Sequence, residues 1–468
     1  MSVSAWISLL DSRRKLNAMS NRIIPDAPGS SQKPNGRFSV LSNRNFTLLW
    51  IGSLVSNSGS WMQIVAQGWL VYQLTGSAFA LGVVGIARAI PMVIFPPMGG
   101  VIADRFPRLK LLKTTQVINL VLGLLMAILT DIGLITVWQL VLLGFLGGLV
   151  NSFDQPTRQA MLPDLVRRED LTKAVALNSS AWQGAALFGP SIAGIAVATI
   201  GVAGAFYMNA VSFLAVVAAL YLMKGVPEYS TRSGPKRGLT TDLIAGLRFV
   251  RATPLVLALL AISTVVGFFG RSFQQFLPVF ATDVFDQGSV GLGLMMSMPG
   301  AGTLVGAAVI AVLSDARRKG FIFLFSTFLF GTTLVLFSID TIFVVALGLL
   351  FLTGLFQLVS GSMMSAMIQL ETPGQMRGRV MSLSTVTYQG FSPFGGLFIG
   401  GLAGAIGTSE AVALSAAICA LIAVVALLTV PVVRRYESKE TEPGATAASA
   451  AGPSPRSGTT VGSVPSLK

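Results

Sequence analysis

The chain of 468 residues is strongly apolar, with 53% hydrophobic and 11% charged residues. Soluble proteins carry about 25% charged residues, so this composition excludes an ordinary water-facing surface and indicates a membrane protein. The single cysteine, Cys419, excludes a disulfide framework, and the lack of histidine excludes the usual imidazole metal site; we predict no metal and no cofactor. The net charge of +14 would suggest nucleic acid in a soluble protein. In a membrane protein the positions of the charges matter more, and we expect no nucleic-acid partner.

Both ends of the chain lie outside the apolar region. In residues 1–45 a basic cluster follows a short apolar patch, the reverse of a secretory signal, which predicts a cytoplasmic extension. Residues 432–468 are rich in Ala, Gly, Ser and Pro without periodicity, which predicts a disordered cytoplasmic tail.

Apolar runs of about twenty residues, enough to cross about 30 Å of hydrocarbon, recur between these ends. They predict twelve transmembrane helices, at 46–73, 79–102, 110–130, 137–158, 174–198, 202–223, 254–280, 288–313, 320–337, 341–364, 379–404 and 408–431. The helices form two bundles of six, 46–223 and 254–431. A polar loop at 224–253 joins the bundles, and its second part predicts an amphipathic helix on the membrane surface. The predicted fold class is therefore an all-α membrane protein with two six-helix pseudo-repeats.

The basic residues predict the topology. With both termini in the cytoplasm, cytoplasmic segments contain 31 of the 33 Lys and Arg, and the outer loops contain none. This asymmetry follows the positive-inside rule and predicts a multi-pass protein of the plasma (inner) membrane. The two remaining cations, Arg88 and Arg271, lie inside predicted spans.

The two bundles share an internal repeat. LNSSAWQGAALFGPSIAG (177–194) and LSTVTYQGFSPFGGLFIG (383–400) match at an offset of 206 residues, with Leu, Gln and three Gly identical. Trp182 is matched by another aromatic residue, Tyr388. A six-plus-six repeat is typical of secondary transporters, whose binding site lies between the two halves.

The turn after the second span carries a family resemblance. In GGVIADRFPRLK (99–110), the residues Gly100, Asp104, Arg105 and Arg108 resemble the loop 2–3 signature of the major facilitator superfamily, although Pro107 replaces the usual Gly. The stretches NRNFTLLWIGSLVSNSGSWM, YQLTGSAFALG and QPTRQAMLPDLVRREDLTKAVALNSS resemble the branch of the enterobactin exporter and macrolide efflux proteins. This resemblance spans about 38–435. It implies a monomeric secondary transporter that exports a small amphiphilic siderophore or drug, by alternating access and proton antiport.

The signature predicts a gating latch at the cytoplasmic end, with contacts that would exist only when that end is closed. The resemblance implies that Asp104 meets the positive end of the helix dipole at the start of span 11. Arg108 is then placed to pair with a carboxylate on span 4, for which Asp154 is the candidate. Two alternatives stay open: Asp154 and Arg158 satisfy one another, or these charges are only a topological anchor.

Span 5 predicts a helix that flexes. Its residues Gly184, Gly189, Pro190 and Gly194 resemble part of the Gly-Pro motif of exporters in this superfamily. Gly and Pro tolerate a bend and let helices approach closely, although Gly-Pro in a membrane helix is a common pattern.

Polar and aromatic residues inside the spans are the candidates for substrate binding: Asn57, Trp61, Gln63, Gln67, Arg88, Arg271, Gln274, Gln275, Tyr388 and Gln389. A cation in the membrane interior is costly and indicates a functional partner. The alternatives are that the glutamines only bond neighbouring helices and that the arginines snorkel to the surface. The middle of each span lacks Asp and Glu, which leaves Asp104 and Asp154 as the candidates for a proton carrier.

Other classes of function fit the sequence less well. The sequence has no Gly-x4-Gly-Lys-Ser/Thr loop, which disfavours an ATP-driven pump with its own nucleotide domain. It also has no cluster of catalytic residue types at one face, so we predict that the protein is not an enzyme. An ion-coupled uptake symporter and a non-transporting sensor or scaffold with a transporter fold remain alternatives.

Overall fold

The computed structural model describes residues 39–95, 106–225, 239–313 and 316–436, and these residues are helical and contain no strand. The first four long helices are α1 (Arg44–Thr75), α2 (Ala78–Ile94), α3 (Arg108–Asp131) and α4 (Val137–Leu165). Three short 3₁₀ or α-helical turns, Ser39–Ser42, Arg168–Asp170 and Pro431–Arg434, flank the long helices.

The segment Leu171–Leu222 contains two helices rather than one. Gly201 interrupts it with φ 76° and ψ 174°, a conformation that non-glycine residues rarely adopt. The break gives α5 (171–200) and α6 (202–222), as predicted from the two apolar runs there.

The second set of helices begins after an amphipathic linker helix, Leu239–Ala252. It comprises α7 (Pro254–Val284), α8 (Gly288–Leu313), α9 (Lys319–Ile339), α10 (Phe343–Glu371), α11 (374–406) and α12 (Thr408–Thr429). Two of these helices are irregular. The π-helical turns Val266–Gly270 and Phe280–Val284 flank a 3₁₀ turn in α7, and the π turn Val386–Gly390 divides α11.

Eight helices of the described ranges are long and apolar enough to cross a membrane, and one of them is the broken segment Leu171–Leu222. The remaining predicted spans correspond to α1, which is rich in polar residues, to the short apolar α2, and to α11, which its π turn divides. The helix bounds are consistent with the predicted count of twelve spans. Large apolar side chains cover the outside, with Trp138, Val312 and Val344 at 76%, 84% and 75% exposure, as a lipid-facing surface requires.

The two ends of the helix assembly differ in their connections. At the short-loop end, the turns near 76, 133, 201, 287, 341 and 407 contain few residues. At the basic end, the connections carry the Lys and Arg clusters near 108, 168, 224, 318 and 377. We predict that the basic end is cytoplasmic, because positive charge accumulates there.

Several contacts between described residues of α1–α6 and α7–α12 lie toward the short-loop end. Tyr72 of α1 donates a hydrogen bond to the Asp283 carboxylate of α7. The hydroxyl of Ser191 in α5 donates to that of Ser297 in α8 over 2.8 Å. A Cβ on Gly194 would lie 2.5 Å from the Ser289 carbonyl oxygen, so α5 and α8 touch through their backbones. The short-loop end is closed.

Candidate functional site

A large cavity, of about 790 Å³, lies between the two sets of helices. Its walls come from α1, α5, α7, α8, α10 and α11. Five predicted candidates line it: Trp61, Arg271, Gln274, Tyr388 and Gln389. Toward the basic end its lining includes the exposed side chains of Gln369, Thr385 and Gln389. The cavity therefore approaches the basic end and is closed off from the short-loop end.

The polar lining of this cavity includes a cation and buried hydrogen-bond donors without partners. Arg271 is its cation, stacked 4.9 Å from the centre of the Tyr388 ring, and none of the described lining residues is acidic. The Trp61 Nε1–H and the Gln357 Nε2–H are buried without an acceptor. A buried donor without a partner is costly, so this site suits a ligand rich in acceptor oxygens. The rings of Trp61 and Trp182, 5.8 Å apart, add an aromatic wall.

Arg88 lies outside the large cavity and lines two smaller ones. A chamber of about 210 Å³ between α1, α2, α7 and α8 includes Gln67, Arg88, Gln274 and Gln275. A polar pocket of about 20 Å³, room for a single water, includes Gln63, Gln67 and Arg88. Gln274 lines both the chamber and the large cavity, so the two spaces adjoin.

The polar residues of α1 serve mainly to join helices. Gln63 accepts a hydrogen bond from the Asn209 amide at 2.6 Å, and Gln67 donates to the Leu140 carbonyl at 3.1 Å. These are the inter-helix bonds of the alternative interpretation. Asn57 lines none of the three cavities described here.

Arg108 does not pair with Asp154 in this structure, and their pairing in a state with a closed basic end stays a prediction. Arg108 instead pairs with Asp164 at 2.7 Å and donates to the Ala160 carbonyl at 2.6 Å. The physical reason is register: α3 and α4 run antiparallel, and Asp154 lies ten residues, or about 15 Å, before Asp164 along α4. Arg108 begins α3 and therefore meets the end of α4.

Asp154 belongs to a buried network further inside the helices. It pairs with Arg158 at 3.0 Å and accepts hydrogen bonds from Thr115 and Gln116 of α3 at 2.7 and 2.8 Å. Arg158 also donates to the Ser53 hydroxyl of α1. This is the alternative in which Asp154 and Arg158 satisfy one another. The other latch residues, Gly100, Asp104 and Arg105, lie outside the described residues.

The predicted flexing residues of α5 are sites of close helix packing. A Cβ on Gly189 would lie 2.8 Å from the Trp61 Cβ in α1, and Gly194 contacts α8 as described above. A Cβ on Gly184 would meet only Leu54, at 3.9 Å. The helix continues without interruption through Pro190. Their role in bending stays a prediction.

Several lining residues were not among the predicted candidates, notably Trp182, Gln183, Gln357 and Gln369. The internal repeat could have identified Trp182 and Gln183. The pair Trp182-Gln183 aligns with Tyr388-Gln389, and both pairs line the large cavity from α5 and α11. Gln357 and Gln369 carry no comparable signal, because glutamines on a membrane helix are equally suited to bonding its neighbours.

Comparisons with known proteins agree with this architecture. A family model described as "Transmembrane secretion effector" matches residues 35–455. The Staphyloferrin A transporter of Staphylococcus aureus is 26% identical over 348 residues, which cover 73% of this chain and 85% of the relative. An Enterobactin exporter of Escherichia coli is 28% identical over 382 residues, which cover 81% of this chain and 89% of the relative.

Solved structures share the fold at low sequence identity. A bacterial homologue of the human lysosomal transporter Spinster, in an inward-facing and unoccupied conformation, matches with a TM-score of 0.65 and 13% identity, over 87% of this chain and 98% of that one. A POT family transporter in complex with 5-aminolevulinic acid matches with a TM-score of 0.68 and 11% identity, over 84% and 97%.

Proposed function

Because this chain belongs to the transmembrane secretion effector family of the major facilitator superfamily, we propose that it exports a small, acidic, amphiphilic molecule of the siderophore type. The lining of the large cavity is the observation that supports an acidic substrate. Arg271 is its cation, and acidic residues are missing from its described walls. An interior cation favours an anionic partner, which a transported acid supplies.

The two substrate types implied by the sequence, siderophores and lipophilic drugs, differ in charge. A cationic drug would face Arg271 without a carboxylate to offset the repulsion. A siderophore offers acceptor oxygens to Arg271 and to the unpartnered donors of Trp61 and Gln357. Relatives named as an enterobactin exporter and a staphyloferrin A transporter support the siderophore class.

The closed short-loop end supports a mechanism of alternating access. If the basic end is cytoplasmic, the structure corresponds to the state that loads substrate from inside. Export then requires the contacts of Tyr72 with Asp283 and of α5 with α8 to open. Closing the basic end would be the task of the loop that carries Gly100, Asp104 and Arg105, next to the Arg108–Asp164 pair. We propose antiport with protons across the plasma membrane by a monomer in the lipid bilayer.

Transport into membrane vesicles tests this proposal. We expect ATP-independent accumulation of a purified acidic siderophore in inside-out vesicles, stimulated by a proton gradient that is acidic inside. Accumulation driven instead into right-side-out vesicles would establish uptake, and transport of neither siderophores nor macrolides would contradict the transporter proposal.

The substrate class is tested by Arg271→Gln, which keeps a polar side chain and removes the charge. Siderophore transport should fall at least tenfold, while any transport of a neutral compound should change little. Arg434→Gln is the matched control, since Arg434 donates to the Leu427 carbonyl at the basic end and does not line the cavity. Equal losses in both variants would contradict a role for Arg271 in binding.

A further inference from the structure

Each set of helices presents one interior guanidinium to the space between them. Arg88 projects from the middle of α2, and Arg271 projects from α7. Within the described ranges neither forms an ion pair with a carboxylate. Two of the described acids of the spans have other partners: Asp154 pairs with Arg158, and Asp283 accepts a hydrogen bond from Tyr72. Two cations therefore face adjoining cavities without a counter-ion from these residues.

The backbone around Arg88 is tightly fixed. A Cβ on Gly148 of α4 would collide with the Arg88 carbonyl oxygen, and the Ser152 hydroxyl donates to the Pro91 carbonyl at 2.8 Å. The chamber around Arg88 also includes the buried side chains of Val71, Leu81 and Val84. A guanidinium held among these groups is inside the protein and not at a lipid surface, which opposes the snorkelling alternative.

The Arg88 chamber and the large cavity are neighbouring spaces. They share Gln274 and Met296 as wall residues. Arg271 and Gln274 belong to the 3₁₀ turn of α7, which has three residues per turn, so their side chains lie on the same side of the helix. A ligand in the large cavity that contacts Arg271 therefore needs only to extend past Gln274 to enter the Arg88 chamber.

We propose that the Arg88 chamber is a second anion subsite, and that the substrate carries two acidic groups on separate arms. One group binds Arg271 in the large cavity, and the other binds Arg88. The chamber, at 210 Å³ against 790 Å³, is large enough for an acidic arm and not for the body of the molecule. A two-armed acid would contact both sets of helices at once. This inference rests on the proposed function, because it specifies the transported substrate.

Binding of simple diacids to the purified full-length protein tests the second subsite. The probes are unbranched α,ω-dicarboxylates from succinate to sebacate, each paired with its monomethyl ester, measured by isothermal titration calorimetry. At the best chain length, we expect the diacid to bind about tenfold more tightly than its monoester. Arg88→Gln should abolish that preference by lowering the affinity for the diacid to about that for its monoester. Arg271→Gln should weaken both probes.

Two results would overturn the proposal: no diacid preference in the unmodified protein, or a preference that survives Arg88→Gln. If Arg88→Gln fails to fold, Ile64→Phe provides the same test, because it narrows the chamber and leaves the charge. Its expected result is also loss of the preference, and a retained preference would overturn the subsite. The two proposals fail in different experiments. If the export function is wrong, siderophore transport in vesicles is absent, and this result does not depend on whether the calorimetry shows a diacid preference.

Discussion

Helices α1–α6 and α7–α12 have related sequences but are held together differently. The first set contains a buried ionic network of Asp154, Arg158, Thr115 and Gln116, together with the bond between Gln63 and Asn209. The second set packs aromatic rings. Phe337 contacts the rings of Phe273, Phe280 and Phe285, and Phe285 also contacts Phe343. The polar contacts of this set include pairs of hydroxyls, such as Thr327 with Ser360 at 2.6 Å.

The repeated helices α5 and α11 share close glycine contacts but differ in their regularity. Gly194 in α5 packs against α8, and its counterpart Gly400 in α11 packs against α2, where a Cβ would lie 2.9 Å from the Ala78 carbonyl. Yet α5 is regular through this motif, whereas α11 contains the π turn Val386–Gly390. π turns are frequent at functional sites. Directional polar bonds thus join the helices of the first set, while the second set contains the irregular helices at the cavity.

The largest expected effect comes from breaking the ionic network. Asp154→Asn leaves the Arg158 guanidinium buried without a charge partner, which should lower the free energy of unfolding by about 3–5 kcal/mol. Ser360, 206 residues later on α10, is the matched position, and Ser360→Ala should cost only about 1 kcal/mol because a neutral hydrogen bond is lost. Equilibrium unfolding in detergent measures both, and equal losses would contradict the contrast between the two sets.

The second prediction concerns closure of the short-loop end. Gly194→Leu should reduce transport more than tenfold, because its Cβ would collide with the α8 backbone at Ser289. Gly400→Leu should reduce it less, since its contacts with α2 begin at 2.9 Å. Gly401→Leu is the control, because a Cβ there meets nothing within 4 Å.

Thiol labelling reports closure directly. A cysteine replacing Gln274 should react with an impermeant reagent from the short-loop side in Gly194→Leu and not in the parent, with buried Cys419 as the only native thiol. Unchanged labelling and transport in Gly194→Leu would show that this contact does not seal the protein.

The third prediction tests the irregular pair of helices. A Cβ on Gly267, in the π turn of α7, would lie 2.7 Å from the Tyr388 carbonyl oxygen and 2.8 Å from the Thr387 carbonyl oxygen in the π turn of α11. Gly267→Ala should therefore separate the two turns and lower transport about three- to tenfold. Gly401→Ala, on α11, is the control, because a Cβ there meets nothing within 4 Å, and it should transport normally. Normal transport by both variants would argue against a role for the facing π turns.

The smallest effect is expected at the partly exposed pair of Arg108 and Asp164. Their side chains are 18% and 20% exposed, and Arg108 also donates to the Ala160 carbonyl. Asp164→Asn should lower the free energy of unfolding by at most about 1 kcal/mol, since solvent screens the pair. A loss as large as that of Asp154→Asn would show that burial does not distinguish the two carboxylates.

The sequence alone determined the fold class, because an apolar run of about twenty residues has few stable alternatives to a membrane helix. It also indicated the break at Gly201, and the repeat at an offset of 206 anticipated the paired positions Trp182 and Tyr388. Five of the predicted candidates, among them Arg271 and Tyr388, line the large cavity. These features depend on composition and local periodicity, which a single sequence contains.

Only the tertiary structure decided which polar residues meet. Asp154 and Asp164 both lie on α4, and the antiparallel register of α3 against α4 assigns Asp164 to Arg108 and Asp154 to Arg158. The same applies to the glutamines: Gln67 bonds a neighbouring helix as well as lining the chamber, whereas Gln357 has a donor without a partner beside the large cavity. Helix periodicity places a side chain on a face, but only the packing of other helices determines what that face contacts.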